Sequence, residues 1–418
     1  MYFKIITLGC KINTYESQAL REELVFLGHK EISESSSRHA DYTFINTCAV
    51  TNQAERKCTK LVHHINKIDN RSKIIIFGCS SQIHKDYYLK ENNVIAVFGT
   101  NKKDIIKSIP YEIKDNVINN SRNFEYDDFN ISTYIGETRA TVKIQDGCNN
   151  FCSYCVVPFT RGRSRSRDKN KIINEVKRLL DNNFKEIIIS GIDVSDYSCP
   201  NNKGYNLTSL LIEILDKFDK YDFRIRVSSI EISKITDEYI NLFKNKKLCP
   251  HFHIPLQSAS PKILSLMNRK YDLNYFKETM DSVRKIIPNV AFSTDIITGF
   301  PGEKEEDFKL TYDFLLNNKF MRIHAFPYSE RPFTKASLMK DDIVSMSIRK
   351  ERVRKLIALS NKLDKEYRKS LLGKKVTILI DYKDEKGLYT GFSENYLEFK
   401  IPSKKNIIGQ FVNFDIDL

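Results

Sequence analysis

The chain contains no apolar run long enough to cross a membrane, a path that takes about 20 consecutive apolar residues. Its start, "MYFKIITLGCKINTYES", lacks a basic leader, a long apolar core and a small-residue cleavage site, so no secretory signal is read. The expectation is a cytoplasmic protein with no membrane partner. Acidic charge is in deficit, with 53 Asp and Glu against 67 Lys and Arg, a net charge of +14. Such a balance suits a polyanionic partner such as nucleic acid, and it equally suits a chain whose composition is rich in Lys, Asn and Ile throughout. Disulfides are not expected, because cytosolic thiols stay reduced and the nine cysteines are an odd number. Clustered thiols in that compartment point to metal or catalysis. At 418 residues the chain exceeds one ordinary core, so two or three domains are expected.

The first part alternates short apolar strands with helices: strand "YFKIITLG", helix "TYESQALREELVFLG", strand "DYTFINT", helix "QAERKCTKLVHHINKI" and strand "KIIIFG". This alternation predicts parallel βαβ units with ligand sites at the carboxyl ends of the strands. An Asn- and Asp-rich stretch over 113–134 reads as a linker. From about 139 the alternation resumes, with strands in "RATVKIQ", "EIIISGI", "FRIRVSSI", "HFHIPLQ", "AFSTDIIT" and "RIHAFPYS". Helices "KNKIINEVKRLLDNN", "LTSLLIEILDKF" and "EKEEDFKLTYDFLLNN" lie between them. Six such repeats predict an α/β barrel or partial barrel whose chemistry sits on loops after the strands. A basic helix is expected near 341–369, with Met346, Val353, Leu356, Leu363 and Tyr367 on its apolar side. The tail from about 370 reads as short strands turned at Gly387, Gly391 and Gly409, a small all-β module.

Within "DGCNNFCSYCVVPFTRGRSRSR", Cys148, Cys152 and Cys155 stand in a C-x3-C-x2-C spacing directly after a strand. Three thiolates on one loop can hold three irons of a four-iron cluster and leave the fourth open. An open coordination position marks a metal centre that performs chemistry. A structural zinc site would want a fourth Cys or His nearby, and none follows at suitable spacing. Cys10, Cys48 and Cys79 each sit at the carboxyl end of a predicted strand, spaced by about one βαβ unit of roughly 30 residues. Successive strand ends share one rim, so these thiols can converge on a second three-cysteine cluster; a lone cysteine there would be a small buried hydrophobe. Cys58, Cys199 and Cys249 lack this placement and read as structural.

The C-x3-C-x2-C loop with Tyr154 before its last cysteine resembles that of the radical S-adenosylmethionine (SAM) enzymes. Two three-cysteine sets in this order resemble the methylthiotransferases among them, over nearly the whole chain. The resemblance implies an N-terminal cluster domain (1–112), a linker (113–134), a radical SAM core built as a partial (β/α)6 TIM barrel (135–368) and a C-terminal all-β TRAM domain (369–418). It implies two [4Fe-4S] clusters, one SAM that donates a methyl group and a second that yields a 5′-deoxyadenosyl radical. Implied partners are a tRNA anticodon stem-loop, an electron donor and a sulfur donor. "TLGCKINTYES", "NTCAVTNQAERK" and "HAFPYSERPFTKAS" look most like the branch that acts at C2 of N6-threonylcarbamoyladenosine, position 37 of tRNA. Rival readings are the same chemistry on isopentenyladenosine or a ribosomal aspartate, or a noncatalytic RNA-binding protein with structural metal.

By the same resemblance Ser190 and Gly191 are expected at the amino-acid end of SAM, Ser229 and Glu231 near its ribose, and Gly299 and Gly302 in the turn near its adenine. Ordinary duties compete: Ser229 can cap a helix, and the glycines can serve a tight turn. Arg167 is expected on the SAM carboxylate, and Arg161, Arg163 and Arg165 on tRNA phosphates, against the alternative of a solvated charge run. Lys374 and Lys375, on the C-terminal module, are expected to meet the RNA backbone. The chain departs from the family at Ala259 and Phe333, where glycine is usual. Loss of glycine removes free access to positive φ, which puts the shape of those two loops in question.

Overall fold

The computed structural model of the chain describes residues 1–34, 36, 38–100, 118–119, 126–129 and 131–416. Most of the stretch read as a linker, and the boundary at 112, lie outside the described residues.

Strands β1 (Tyr2–Thr7), β2 (Lys30–Glu31), β3 (Tyr42–Thr47), β4 (Lys73–Gly78), β5 (Val94–Phe98) and β6 (Ile118–Asn119) form one parallel sheet in the order β2-β1-β3-β4-β5-β6. Alternate residues of a strand face opposite sides, and both sides here are apolar, as a covered parallel sheet requires. Phe3, Ile5, Phe44, Ile75 and Phe77 pack under Leu20 and Leu24 of the helix Lys11–Phe26. Ile6, Ile45, Ile74 and Ile76 pack under Cys58, Val62 and Ile65 of the helix Asn52–Ile68. The three expected strands and two helices of this region are therefore present, and β5 adds a strand that the sequence reading had not marked.

All six strands expected in the second part form: β7 (Arg139–Lys143), β10 (Glu186–Ser190), β11 (Arg224–Val227), β12 (His251–His253), β13 (Ala291–Thr298) and β14 (Arg322–Pro327). They run parallel in two groups, β11-β10-β7 and β12-β13-β14. A parallel bridge between Ile225 and Leu248 leads from one group toward the other. Two short strands, β8 (Gln145–Asp146) and β9 (Arg165–Ser166), pair antiparallel around the cysteine loop. At the end of the chain β15 (Lys375–Lys383), β16 (Tyr389–Ser393), β17 (Glu398–Ile401) and β18 (Phe411–Asp415) make a small antiparallel sheet in the order β17-β16-β15-β18.

The long basic helix spans Met346–Ser370, with Leu356, Leu359 and Leu363 buried. Met346 is exposed, contrary to expectation, and Arg349 and Arg352 are buried in its stead. Arg352 meets Glu303 (2.5 Å) and Glu305 (3.0 Å), and Arg349 donates to the Tyr328 carbonyl (2.8 Å). Ion pairing of Arg352 and carbonyl acceptors for Arg349 thus allow a helix face to bury guanidinium groups that an apolar stripe does not foresee.

The C-terminal sheet closes the barrel at the amino ends of its strands. Buried Glu186 accepts from Arg224 (2.6 Å) and Arg226 (2.8 Å). Both arginines then donate to carbonyls of the C-terminal sheet, Arg224 to Thr377 and Phe392 and Arg226 to Ser393 and Glu394. Burial alone would raise the Glu186 pKa, but the two guanidinium groups overcome it and hold the carboxyl far below its ordinary value. A carboxylate depressed in this way stabilises the fold fully above its unfolded pKa of about 4.3, and that stabilisation is lost as the pH falls. Glu186→Gln should therefore cost about 3–5 kcal/mol at neutral pH in urea unfolding. The variant should also lose less of its remaining stability on acidification than the parent does; an unchanged acid limb would count against this account.

Candidate functional site

The cysteine loop after β7 is held in shape from several directions. Gly147 has φ +71, and a Cβ there would lie 2.1 Å from the Arg163 carbonyl oxygen, so only glycine fits. Ser153 donates to the Leu266 carbonyl (2.6 Å), Asn268 donates to the Phe151 carbonyl (3.0 Å), and Asn150 donates to Asp193 (2.9 Å). Arg269 donates to Cys152 Sγ (3.3 Å) and, through its other terminal nitrogen, to Glu231 (2.6 Å). Cys148 accepts from the Asn150 N–H (3.4 Å). A polar cavity of about 290 Å³ opens here, lined by Cys152, Asp193, Glu231 and Arg269 among others. Burial raises the Glu231 pKa, against the pull of Arg269. Burial also pushes the Cys148 thiol up to about 11 and the Cys155 thiol up to about 12.

The N-terminal cysteines come together as their strand-end positions imply. Cys10 is the N-cap of the helix Lys11–Phe26, Cys48 follows β3, and Cys79 opens a short helix after β4. Cys10 Sγ donates to Asn13 Oδ1 (3.2 Å), and Asn13 is fixed by Asn46 (2.7 Å) and the Thr47 carbonyl (3.1 Å). Cys48 is pushed up to about 12 by burial and by its neighbours Cys79 and Cys10. Cys79 accepts from Arg161 Nε (3.2 Å). Arg161 also bonds Glu16 (2.9 Å) and Asp146 (3.2 Å), with Lys143 on the same two carboxylates. All four of these charged side chains are buried.

The two cysteine sets face each other. Ala49, Cys79 and Val156 form one buried apolar contact, and Thr100 donates to the Thr160 carbonyl (2.5 Å). A second cavity, of about 210 Å³, lies at this junction. Its wall includes Val50 and Thr51 beyond Cys48, then Tyr154 and Cys155, then Asp295, Ile297 and Phe326 of the barrel. Among the described residues no three His, Cys, Asp or Glu side chains close around a single ion. In a four-iron cluster each cysteine holds its own iron, so three sulfurs need only ring a shared space. Each set is mutually close enough to interact electrostatically. Two all-thiol donor sets, whose thiols give up their protons when metal binds, fit a [4Fe-4S] group at each.

Several expected site residues are placed otherwise. Arg167 does not reach toward the cysteine loop; it is buried on Glu175 (2.7 Å), Asp128 (2.6 Å) and the Phe129 carbonyl. Arg161 is equally buried, and Arg165 turns back onto Asp146 (3.0 Å). The β8–β9 pairing folds the arginine run inward onto these carboxylates, so only Arg163 stays exposed, its guanidinium 4.4 Å from the Phe151 ring centre. Ser190 is buried at the end of β10, and a Cβ on Gly191 would meet Gln145 at 3.0 Å. Ser229 is exposed and caps no described helix; Thr236 caps the next one. Gly299 (φ +66) and Gly302 (φ +82) make the turn after β13, where Gly299 abuts Arg349, and neither lines the two cavities. Lys374 bonds Asn289 (2.7 Å) and Lys375 stays exposed near Asp415. Ala259 has no positive φ and is buried, its N–H on Thr311. Phe333 does adopt φ +66, with its ring 5.9 Å from Phe159. Arg269, Asp193 and Asn150 were missed. Arg269 lies in "LMNRKY", and nothing local there signals that it reaches back 117 residues to Cys152.

Residues 142–315 match the family model of the radical SAM superfamily, and residues 2–99 match that of the uncharacterized protein family UPF0004. The threonylcarbamoyladenosine tRNA methylthiotransferase MtaB of Bacillus subtilis (strain 168) is 35% identical over 98% of this chain and 92% of its own length. That of Aquifex aeolicus (strain VF5) is 35% identical over 96% and 97%. The tRNA-2-methylthio-N(6)-dimethylallyladenosine synthase of Thermodesulfovibrio yellowstonii is 34% identical over 99% and 95%. Among solved structures, the radical SAM methyltransferase TsrM of Kitasatospora setae shares the fold with a TM-score of 0.59 at 14% identity, over 78% of this chain and 72% of that one. With this length of similarity behind the paired cysteine sets, the chain belongs to the methylthiotransferase family of radical SAM enzymes.

Proposed function

We propose that the chain inserts a methylthio group at C2 of N6-threonylcarbamoyladenosine, at position 37 of a tRNA anticodon stem-loop. The observation that carries this reading is the cavity between the loops that carry the two three-cysteine sets, with Cys155 on one wall and Val50 and Thr51, just beyond Cys48, on another. Cys148, Cys152 and Cys155 would hold a cluster that supplies radical formation from SAM, and Cys10, Cys48 and Cys79 would hold one that carries or receives the inserted sulfur. Residues of the chain do the rest. Arg269 balances the charge of Cys152 and orients Glu231. With Asp193 it makes the polar cavity suited to the charged and hydroxylated parts of SAM. Tyr154, Val156, Ile297 and Phe326 give the neighbouring cavity apolar walls, which keep water from a reactive intermediate.

The small C-terminal sheet supports the reading as a TRAM domain over 369–418, with exposed Lys375 and Lys386 to meet the RNA backbone. An electron donor and a sulfur donor complete the partners of this reading. Relatives named for threonylcarbamoyl and for dimethylallyl substrates are almost equally identical to this chain, so overall identity does not choose between them. Mass spectrometry of tRNA nucleosides from cells with and without the gene makes the choice. Loss of 2-methylthio-threonylcarbamoyladenosine alone is expected; its persistence, with loss of the isopentenyl form or of ribosomal methylthioaspartate, would overturn the substrate assignment.

A further inference from the structure

Side chains alternate across a strand, so His251 and His253 of β12 share one face. The same holds for Ser293, Asp295 and Ile297 of β13, and for Arg322, His324 and Phe326 of β14. The parallel register sets them side by side: His253 against Ser293, Ser293 against Arg322, Asp295 against His324 and Ile297 against Phe326. Asp295, Ile297 and Phe326 line the cavity beside Cys155, so this face looks into the barrel lumen, while Ile323 on the other face packs into the core. Barrel interiors are ordinarily filled with branched apolar side chains. Here an apolar upper layer gives way to aspartate, histidine and arginine below it.

Most of these polar groups have partners. His253 bonds Asp295 (3.1 Å) and Ser293 (2.9 Å), and Ser293 also meets His251 (2.9 Å). The His324 ring lies 5.7 Å from that of His253. Tyr396 of the C-terminal sheet forms the floor, with His251 at 4.9 Å, Arg226 at 4.5 Å and Arg322 at 5.9 Å from its ring. Arg226 is paired with Glu186, and Arg139 with Asp381. Arg322 forms no hydrogen bond or ion pair among the described residues. A half-buried guanidinium without a carboxylate, on the same strand face as Phe326 of the cavity wall and four residues before it, offers a planar fork for a ligand's carboxylate. Lys11 adds positive charge nearby, as an electrostatic neighbour of Tyr396 and Arg226.

Resting on the substrate reading above, we propose that this lumen is the subsite for the N6 substituent, with Arg322 pairing the threonyl carboxylate. Asp295 accepts from the substituent's N–H or hydroxyl groups, and His324 supplies a further polar contact. A dimethylallyl group, which is hydrocarbon throughout, would leave the Arg322 guanidinium desolvated and without a partner, and a site built for polar groups rejects such an analogue strongly. The lumen thereby separates two substrates that overall sequence identity does not.

The test measures binding by fluorescence anisotropy. The full chain with its clusters reconstituted is titrated with anticodon stem-loop RNAs bearing adenosine, threonylcarbamoyladenosine or dimethylallyladenosine at position 37. The parent is expected to bind the threonylcarbamoyl loop at least about tenfold tighter than the unmodified one, the worth of one good charged contact. Arg322→Gln should lose that preference, and Arg322→Lys should keep part of it. If Arg322→Gln retains the parent's preference, the subsite is overturned. Should that variant fail to fold, His324→Leu carries the same test: a reduced preference supports the subsite and an unchanged one overturns it. A parent with no preference for the threonylcarbamoyl loop, together with loss of a different nucleoside from cells, overturns the substrate reading itself. A parent with the preference and an indifferent Arg322→Gln overturns only the subsite.

Discussion

Cys152→Ala is expected to abolish formation of 5′-deoxyadenosine from SAM under dithionite, whereas Cys48→Ala should leave that cleavage intact and stop sulfur insertion into RNA. Cys152 lies in the polar cavity with Asp193, Glu231 and Arg269, so its loss removes a thiolate at the wall where SAM is expected. Alanine leaves the Arg269 guanidinium without its sulfur acceptor, though still paired with Glu231. The cost to the metal-free fold should be small, because Cys152 is only partly buried and no core contact is lost. Iron and acid-labile sulfide per chain should fall by about half in each variant, since each set holds one cluster of the same type. SAM cleavage retained in Cys152→Ala would sink the assignment of the radical centre. Sulfur insertion surviving Cys48→Ala would sink that of the second.

A loss of stability as large as that at Glu186 is expected at Arg161. Its guanidinium is buried with Lys143 against Glu16 and Asp146, and these residues come from the N-terminal sheet domain and the barrel. Arg161→Leu would leave two buried carboxylates with too little positive charge, a kind of change that costs about 3–5 kcal/mol. It would also remove the N–H donor to Cys79 Sγ. Urea unfolding should show the loss. Replacing Glu16 by leucine in the same chain should recover part of it, since charges in one network couple by about 0.5–3 kcal/mol. A loss below about 1 kcal/mol would mean that the group behaves as a surface pair, and that the domains are not held by it.

Phe333 and Ala259 show how a departure from a family pattern resolves in the fold. At Ala259 the backbone needs no left-handed conformation, so glycine's freedom is not required. At Phe333 it is required, and the residue adopts φ +66 with its ring packed on Phe159. A left-handed non-glycine residue costs on the order of 1–2 kcal/mol, offset here by the contact between two aromatic rings.

What the sequence determined by itself was what depends on near neighbours. Apolar runs of strand length, helical periodicity between them and turn residues at their ends place every barrel strand where it forms, because these patterns act over a few residues. The convergence of Cys10, Cys48 and Cys79 was legible for the same reason: a parallel sheet puts successive strand ends on one rim. The partners of charged groups were not legible. Arg161 meets Glu16 across 145 positions, Arg269 meets Cys152 across 117, and Arg226 bonds the Glu394 carbonyl across 168. A run of arginines reads the same whether it faces water or carboxylates. Only the tertiary structure decides that, because the energy of a buried charge is set by whichever groups the fold brings beside it. The lumen shows the same division: alternation assigns His324 and Arg322 to one face of a strand, and the closing of the barrel decides that this face is an interior with a cavity above it.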